Sequence, residues 1–292
     1  MSAKLHDDEL DIDADLVRRL VAAQFPQWSG LPVEPVDSSG TSNAIFRLGD
    51  ELAVRLPRVE WTRSGLDTEL AWLPALAPRL PVAVPAPVAV GEPGDGYPWR
   101  WAVCRWCDGE IPAPGRAGVG VARDLARFLH ALRAVDPTGA PRGSNRGAPL
   151  ATRDRMRPAA EDLRDEFDVA AILSVWEAAL AAPEWDRDPV WLHGDLLPAN
   201  LLVEGDRLTG VLDFGCLTLG DPACDAMAAW TVFAGDARAV YREALGVDDA
   251  AWARSKGWAL SFAVVALPYY RDRNPTICAA ARHAIAEVLA DG

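Results

Sequence analysis

The chain has 292 residues, 50% of them hydrophobic and 24% charged, with a formal net charge of −13. That balance describes a globular protein with enough apolar material for a large core, and it excludes a disordered chain. There is no basic footprint for nucleic acid and no apolar run long enough to span a bilayer, so neither is expected as a partner.

The opening residues, MSAKLHDDELDIDADL, are acidic and lack the apolar segment of a signal peptide, so a cytoplasmic location is expected. The cysteines Cys104, Cys107, Cys216, Cys224 and Cys278 are odd in number and scattered, which suits no disulfide framework. CRWC (104–107) has C-x-x-C spacing, but no second pair completes a zinc site.

In chain order, 13–24 has apolar residues at helical spacing behind an acidic start and predicts a helix. Residues 33–58 are β-rich: a Ser/Gly/Thr loop at 38–43, then AIFRL and LAVRL around Gly49-Asp50, a hairpin pattern with a tight turn. A helix is expected over 64–77, with Ser64 available as its cap. The Pro-punctuated stretch 78–93 brackets at most one short strand, and 101–106 reads as another. Helices are expected over 121–135 and 167–182, separated by a Gly/Pro-rich loop at 138–150. Short strands follow at 190–215, and nearly everything beyond Asp221 reads as helical. The fold class is α+β: a small β-rich half (1–103), a joint at 104–110, and a larger helical half (111–292). Most of the 12 tryptophans lie in amphipathic runs and are expected in the core.

The stretch VWLHGDLLPANLLV (190–203) puts His193, Asp195 and Asn200 among core-like residues, and VLDFG (211–215) puts Asp213 after an apolar strand. Burying carboxylates costs several kcal/mol without compensation, and a metal ion supplies a reason for them. Mg²⁺ takes hard oxygen ligands, commonly one or two carboxylates plus substrate phosphates. Asn200 and Asp213 suit that role, leaving Asp195 to orient a substrate hydroxyl and accept its proton.

H-G-D-x-x-x-x-N followed by D-F-G resembles the catalytic core of the protein-kinase-like superfamily, whose template makes the first Asp the base and the Asn and second Asp metal ligands. Gly194 stands where protein kinases carry Arg, and only five residues separate Gly215 from Asp221-Pro222, with no A-P-E. No long activation segment fits, so a small-molecule rather than a protein substrate is expected. The whole run HGDLLPANLL…VLDFG…GDPACDAMAAW resembles the aminoglycoside phosphotransferase family of antibiotic kinases. The resemblance implies a bilobal kinase-like fold with Mg²⁺ and either ATP or GTP as co-substrate. It also implies that Asp221 caps a helix with Pro222 at its first position, and that Asp225 and His193 brace the catalytic loop.

In the amino-terminal half, LAVR (52–55) matches the kinase strand that carries the phosphate-binding Lys; here Arg55 stands in its place, with Ala53 against the purine. Arg is a permanently charged planar fork rather than a neutral replacement for Lys. Its expected helix partner is Glu69, with Asp67 as the alternative. The loop residues Ser39, Gly40, Thr41 and Ser42 are candidates for phosphate contact, and main-chain groups around Cys104 and Trp106 for the purine edge. Over Asp195, the acidic residues Glu184, Asp186, Asp188 and Asp272 are candidates for binding a cationic acceptor, with Tyr269 and Tyr270 for a sugar ring. The expected function is transfer of a γ-phosphoryl group to a hydroxyl of an aminoglycoside-like antibiotic. The alternatives are a macrolide, sugar or metabolite kinase, or a silent nucleotide-binding module.

Overall fold

A computed structural model describes residues 9–38, 40–142, 145–153 and 155–291. Helix α1 (Ala14–Gln24) starts at Asp13, whose carboxylate accepts a hydrogen bond from the Leu16 N–H at 2.7 Å. Strands β1 (Val33–Pro35), β2 (Asn43–Leu48) and β3 (Leu52–Pro57) follow, then α2 (Arg63–Leu76), β4 (Pro87–Gly91) and β5 (Trp101–Arg105). The strands form one antiparallel sheet in the order β1-β2-β3-β5-β4.

All six residues of β3 are buried, and alternation explains how. Leu52, Val54 and Leu56 pack with Trp101 and Val103 of β5 against Leu16, Val17, Leu20 and Val21 of α1. On β5 the intervening Ala102 and Cys104 pack with Leu66 of α2. Ala53 and Arg55 alternate with the α1-facing residues, so their side chains belong to the other side of the sheet. Gly91 is opposite Trp101, whose indole fills the space a Cβ would need: such an atom would lie 1.9 Å from the ring.

The helical part contains α3 (Val119–Arg133), α4 (Met156–Glu161), α5 (Val169–Ala181), β6 (Val190–Leu192), β7 (Leu201–Glu204), β8 (Arg207–Val211) and β9 (Thr218–Gly220). It ends with α6 (Ala223–Ala226), α7 (Ala228–Thr231), α8 (Gly235–Leu245), α9 (Asp249–Tyr270) and α10 (Pro275–Ala290). Helix α9 is the centre of this part: α10, α5, α6 and α4 all pack on it, and its Trp258, Leu260 and Val264 are fully buried. Two small antiparallel ribbons, β6-β9 and β7-β8, lie at its edge and carry the loops described below. The architecture is α+β, with a small antiparallel sheet region followed by a larger helical one.

Several local expectations need correction. Helix α2 begins at Arg63 behind Thr62, which makes no side-chain cap, and the Ser64 hydroxyl turns back to the Trp61 carbonyl instead. The hairpin turn holds three residues, 49–51, with Gly49 at φ +61 and Leu48 facing Leu52. Helix α6 begins at Ala223 with Pro222 as its cap residue, one position later than the sequence suggests. Helix α4 was not expected at all. Six of the tryptophans, including Trp101, Trp191, Trp230 and Trp258, are buried, whereas Trp61 is exposed. No helix among the described residues is long and apolar enough to cross a membrane.

Candidate active site

The catalytic-type loop leaves the buried end of β6 and turns through His193-Gly194-Asp195. Gly194 has φ +82, and a Cβ there would lie 2.7 Å from the Cys216 carbonyl oxygen, so both its conformation and its space require glycine. Asp225, fully buried, accepts hydrogen bonds from the N–H groups of His193 (3.0 Å) and Gly194 (2.8 Å). Thr231 donates to the Leu196 carbonyl at 2.9 Å, fixing the loop's far side.

His193 is fully buried, with its ring 4.8 Å from that of Phe214. The Asp195 N–H donates to Nδ1 at 3.3 Å, which leaves Nε2 to donate to the Leu212 carbonyl at 2.9 Å. Both ring nitrogens are thereby occupied within the scaffold. Asp195 itself is about a quarter exposed. Its Oδ2 accepts from the Asn200 amide at 3.1 Å, and the same amide reaches the Asp195 carbonyl at 2.7 Å. Its Oδ1 accepts from Arg146 at 2.8 Å. Burial pushes the Asp195 carboxyl above its ordinary range and the Asp213 carboxylate adds to the rise, while Arg146 and Asn200 pull against it.

Asp213 follows β8 in the left-handed region, with φ 59, and its Oδ1 accepts from the Gly215 N–H. The turn it opens is locked by α2. Phe214 N–H donates to Glu69 at 2.8 Å, and helix and turn approach so closely that a Cβ on Gly65 would sit 3.2 Å from the Gly215 Cα. Glu69 also receives Arg55 at 2.8 Å, with both side chains buried. Burial opposes the charge on the Arg55 guanidinium, but Glu69, Cys104 and Asp213 together hold it charged, above its usual value. Asp67 is exposed and pairs with Arg100 instead, so the choice between the two acids falls on Glu69.

A cavity of about 280 Å³ lies between sheet and helical part. Ala53, Arg55, Gly40, Ser42 and Trp106 line it from the first, Asn200 and Asp213 from the second. Ser38, Ile45, Leu202 and Leu212 also line it; the first, third and fourth lie within the marked stretches, though no motif singles them out as site residues. Asn200 and Asp213 offer hard oxygens there, and because the Asn200 amide nitrogen points to Asp195, its carbonyl oxygen is left for a cation. Among the described residues no cluster of three His, Cys, Asp or Glu side chains is suited to hold a metal. A two-oxygen site completed by phosphate and water fits Mg²⁺ and not a softer ion.

Other candidates lie elsewhere. Ser39 falls outside the described residues. Thr41 does not line the cavity. Cys104 lies behind the cavity wall, in register between Ala53 and Pro87, and is 3% exposed; Trp106 lines the cavity, but its N–H donates to the Glu51 carbonyl. Asp221 accepts from the Ala223 N–H and is gripped by both Nε and Nη2 of Arg254. Glu184 lines a separate cavity of about 220 Å³ beside Trp185 and Arg254, Asp186 and Asp188 are exposed in the same loop, and Asp272 is exposed after α9. Tyr269 is 52% exposed and packs edge-on against Tyr270. Sequence reasoning missed Arg146, which comes from the Gly/Pro-rich loop and belongs to no motif.

The sequence model of the phosphotransferase enzyme family matches residues 34–258. Among solved structures, the chain is similar to a GDP and kanamycin complex of APH(2'')-IIia, with 21% identity, a TM-score of 0.72, and coverage of 94% of this chain and 99% of that one. It is also similar to the macrolide 2'-phosphotransferase MphH from Brachybacterium faecium, with 25% identity, a TM-score of 0.61, and coverage of 93% and 97%. Macrolide 2'-phosphotransferase type I matches at 22% identity and a TM-score of 0.61 over 94% and 97% of the two chains. No curated protein matches the sequence.

Proposed function

The chain belongs to the phosphotransferase enzyme family, and from that premise we propose that it moves the γ-phosphoryl group of ATP or GTP to a hydroxyl of an antibiotic-like small molecule. The observation that carries this reading is that Arg55, Asn200 and Asp213 line one cleft, with Glu69 holding Arg55 and Asp195 hydrogen-bonded to Asn200 beside it. Nucleotide complexes among the similar structures support the co-substrate. The short path from Asp213 back into β9, which pairs with β6 from Thr218, supports a small acceptor over a peptide.

In this mechanism Asp195 orients the acceptor hydroxyl and takes its proton as the oxygen attacks the γ-phosphorus. The bond from that phosphorus to the β–γ bridging oxygen breaks, and the nucleoside diphosphate leaves. Arg55, held by Glu69, grips the α- and β-phosphates, and the 38–42 loop offers backbone N–H groups and hydroxyls. The purine lies against Ala53 and the 105–107 main chain. Asn200 and Asp213 would hold Mg²⁺, which when bound neutralises charge on the phosphate oxygens. Residues 104–110 serve as the hinge between 1–103 and 111–292. The reciprocal backbone hydrogen bonds of Glu110 with Val203 support that division, because they tie the chain to β7 as soon as it leaves the sheet.

For the acceptor, an aminoglycoside is the first reading. A macrolide is the second, favoured by the 25% identity to MphH. Release of ADP and GDP with Mg²⁺ across aminoglycosides, macrolides and simple sugars tests both, with Asp213→Ala as control. Stimulation by one class that vanishes in the variant establishes the kinase and its acceptor. Nucleotide binding without any metal-dependent turnover would instead make the protein a silent binding module.

A further inference from the structure

Arg146 is the least explained charged group near the cleft. Its guanidinium is 11% exposed, and one hydrogen bond of 2.8 Å joins it to Asp195 Oδ1. Nε and Nη1 are buried with no hydrogen-bond partner. Burying a cation that leaves two donors unmet is costly, so neither packing nor hydrogen bonding alone accounts for it.

The backbone is arranged to bring it there. The Pro141 carbonyl accepts from the Leu219 N–H and from the Thr218 hydroxyl, pinning the chain at Pro141 to β9. At the loop's other end Gly147 rests on Gly220, where a Cβ would come within 2.7 Å of the Gly147 Cα. Between these anchors, the Arg146 Cβ lies close against Gly194, 3.2 Å from where a Cβ on that glycine would stand, next to the Cys216 carbonyl at 2.7 Å. Two glycines and a strand edge thus deliver one guanidinium to one carboxylate across 49 residues of sequence.

We infer that Arg146 is a positioning residue for the reaction, clamping Asp195 Oδ1 while Asn200 holds Oδ2 so that the carboxylate plane is fixed toward the acceptor. The inference rests on the phosphotransferase reading above. Each carboxylate oxygen has two acceptor directions, and one donor on each leaves the remaining directions for the incoming hydroxyl. Without the clamp only Asn200 orients the carboxylate, and a misplacement of about 1 Å costs ~10²-fold in rate.

The test uses the full chain, Mg²⁺, ATP and GTP, with water as the acceptor, and compares wild type, Arg146→Ala and Arg146→Lys. The expected result is a kcat for Arg146→Ala lower by ~10²-fold with unchanged nucleotide KM and Kd. Millimolar guanidinium ion should restore part of it by entering the vacated space, and Arg146→Lys, which keeps the charge without the fork, should fall between. Turnover unaltered in Arg146→Ala would overturn the inference. So would a loss that guanidinium does not rescue and that comes with weaker nucleotide binding and a lower Tm in both variants, because Arg146 would then be structural. Wild-type protein with no nucleotide turnover sensitive to Asp213→Ala, with water and with the aminoglycosides, macrolides and sugars alike, would sink the phosphotransferase reading itself, and this inference with it.

Discussion

Glu69 accepts the backbone N–H of Phe214 at 2.8 Å across 145 positions of sequence, while its carboxylate also holds Arg55. One buried side chain therefore sets both the phosphate-binding cation and the turn that aims Asp213. Glu69→Ala leaves Arg55 buried without a counter-charge, for which a loss of ~3–5 kcal/mol is expected. Glu69→Gln keeps an acceptor oxygen for Phe214 and should lose less stability while still weakening nucleotide binding. Denaturant unfolding and nucleotide calorimetry on the two variants check this; equal stability loss in both would assign the whole effect to charge.

Asp195 does not line the nucleotide cavity, and its donors Asn200 and Arg146 remain when its carboxylate is removed. Asp195→Ala is therefore expected to lower kcat by ~10²–10⁴-fold, the usual contribution of a positioned base, with little change in nucleotide Kd. Near-normal turnover in the variant would take Asp195 out of the mechanism.

Asp225 separates bracing from chemistry. Its fully buried carboxylate satisfies the N–H groups of His193 and Gly194 and does not line the cleft. Replacement by Ala orphans two buried donors at ~1–3 kcal/mol each, so thermal unfolding should move to lower temperature. Asp225→Asn retains one acceptor and should recover part of the loss. A variant with unchanged Tm but abolished turnover would mean Asp225 acts in the chemistry instead.

His283 gives the protein a pH dependence outside the cleft. Burial lowers its pKa, the Arg238 charge adds to the drop, and the Phe233 carbonyl at 3.4 Å pulls against it. Because the folded pKa is depressed below the unfolded value of about 6.5, the unfolded chain binds more protons in that range. The stabilisation is present above about pH 6.5 and is lost as pH falls through the folded pKa. Urea midpoints measured downward from neutral pH should fall more steeply for wild type than for His283→Gln; parallel curves would remove His283 as the cause.

What was legible in the sequence followed local rules. Asp13 before the Leu16-Val17-Leu20-Val21 spacing marked α1, and the alternation of LAVR put Ala53 and Arg55 on one face of β3. The order of Asp195, Asn200 and Asp213 carried the cleft, because each lies on a short loop whose geometry its neighbours dictate. Spacing alone could not choose between Glu69 and Asp67, since both fall within one helix turn and only packing against the Phe214 turn separates them. Cys104 shares the Ala53 face of the sheet, but its side chain packs with Leu66 of α2 and so does not reach the cavity, a contact between distant segments that the spacing of its own strand does not show. Arg146 had no signal in its own loop. Gly194 gives no hint of it either, because its φ of +82 and the Cys216 carbonyl already require glycine before Arg146 is met.

Gly194 carries the strictest steric prediction. At φ +82 a non-glycine residue costs ~1–3 kcal/mol, and an added Cβ meets the Cys216 carbonyl at 2.7 Å before it meets Arg146 at 3.2 Å. Gly194→Ala should therefore shift the Asp225-braced turn, lowering both Tm and kcat. The nearest obstacle is backbone, which no side-chain truncation moves, so combining it with Arg146→Gly should not restore stability. If the double variant regains the wild-type Tm, the packing of Arg146 and not the backbone would be what excludes a side chain at Gly194.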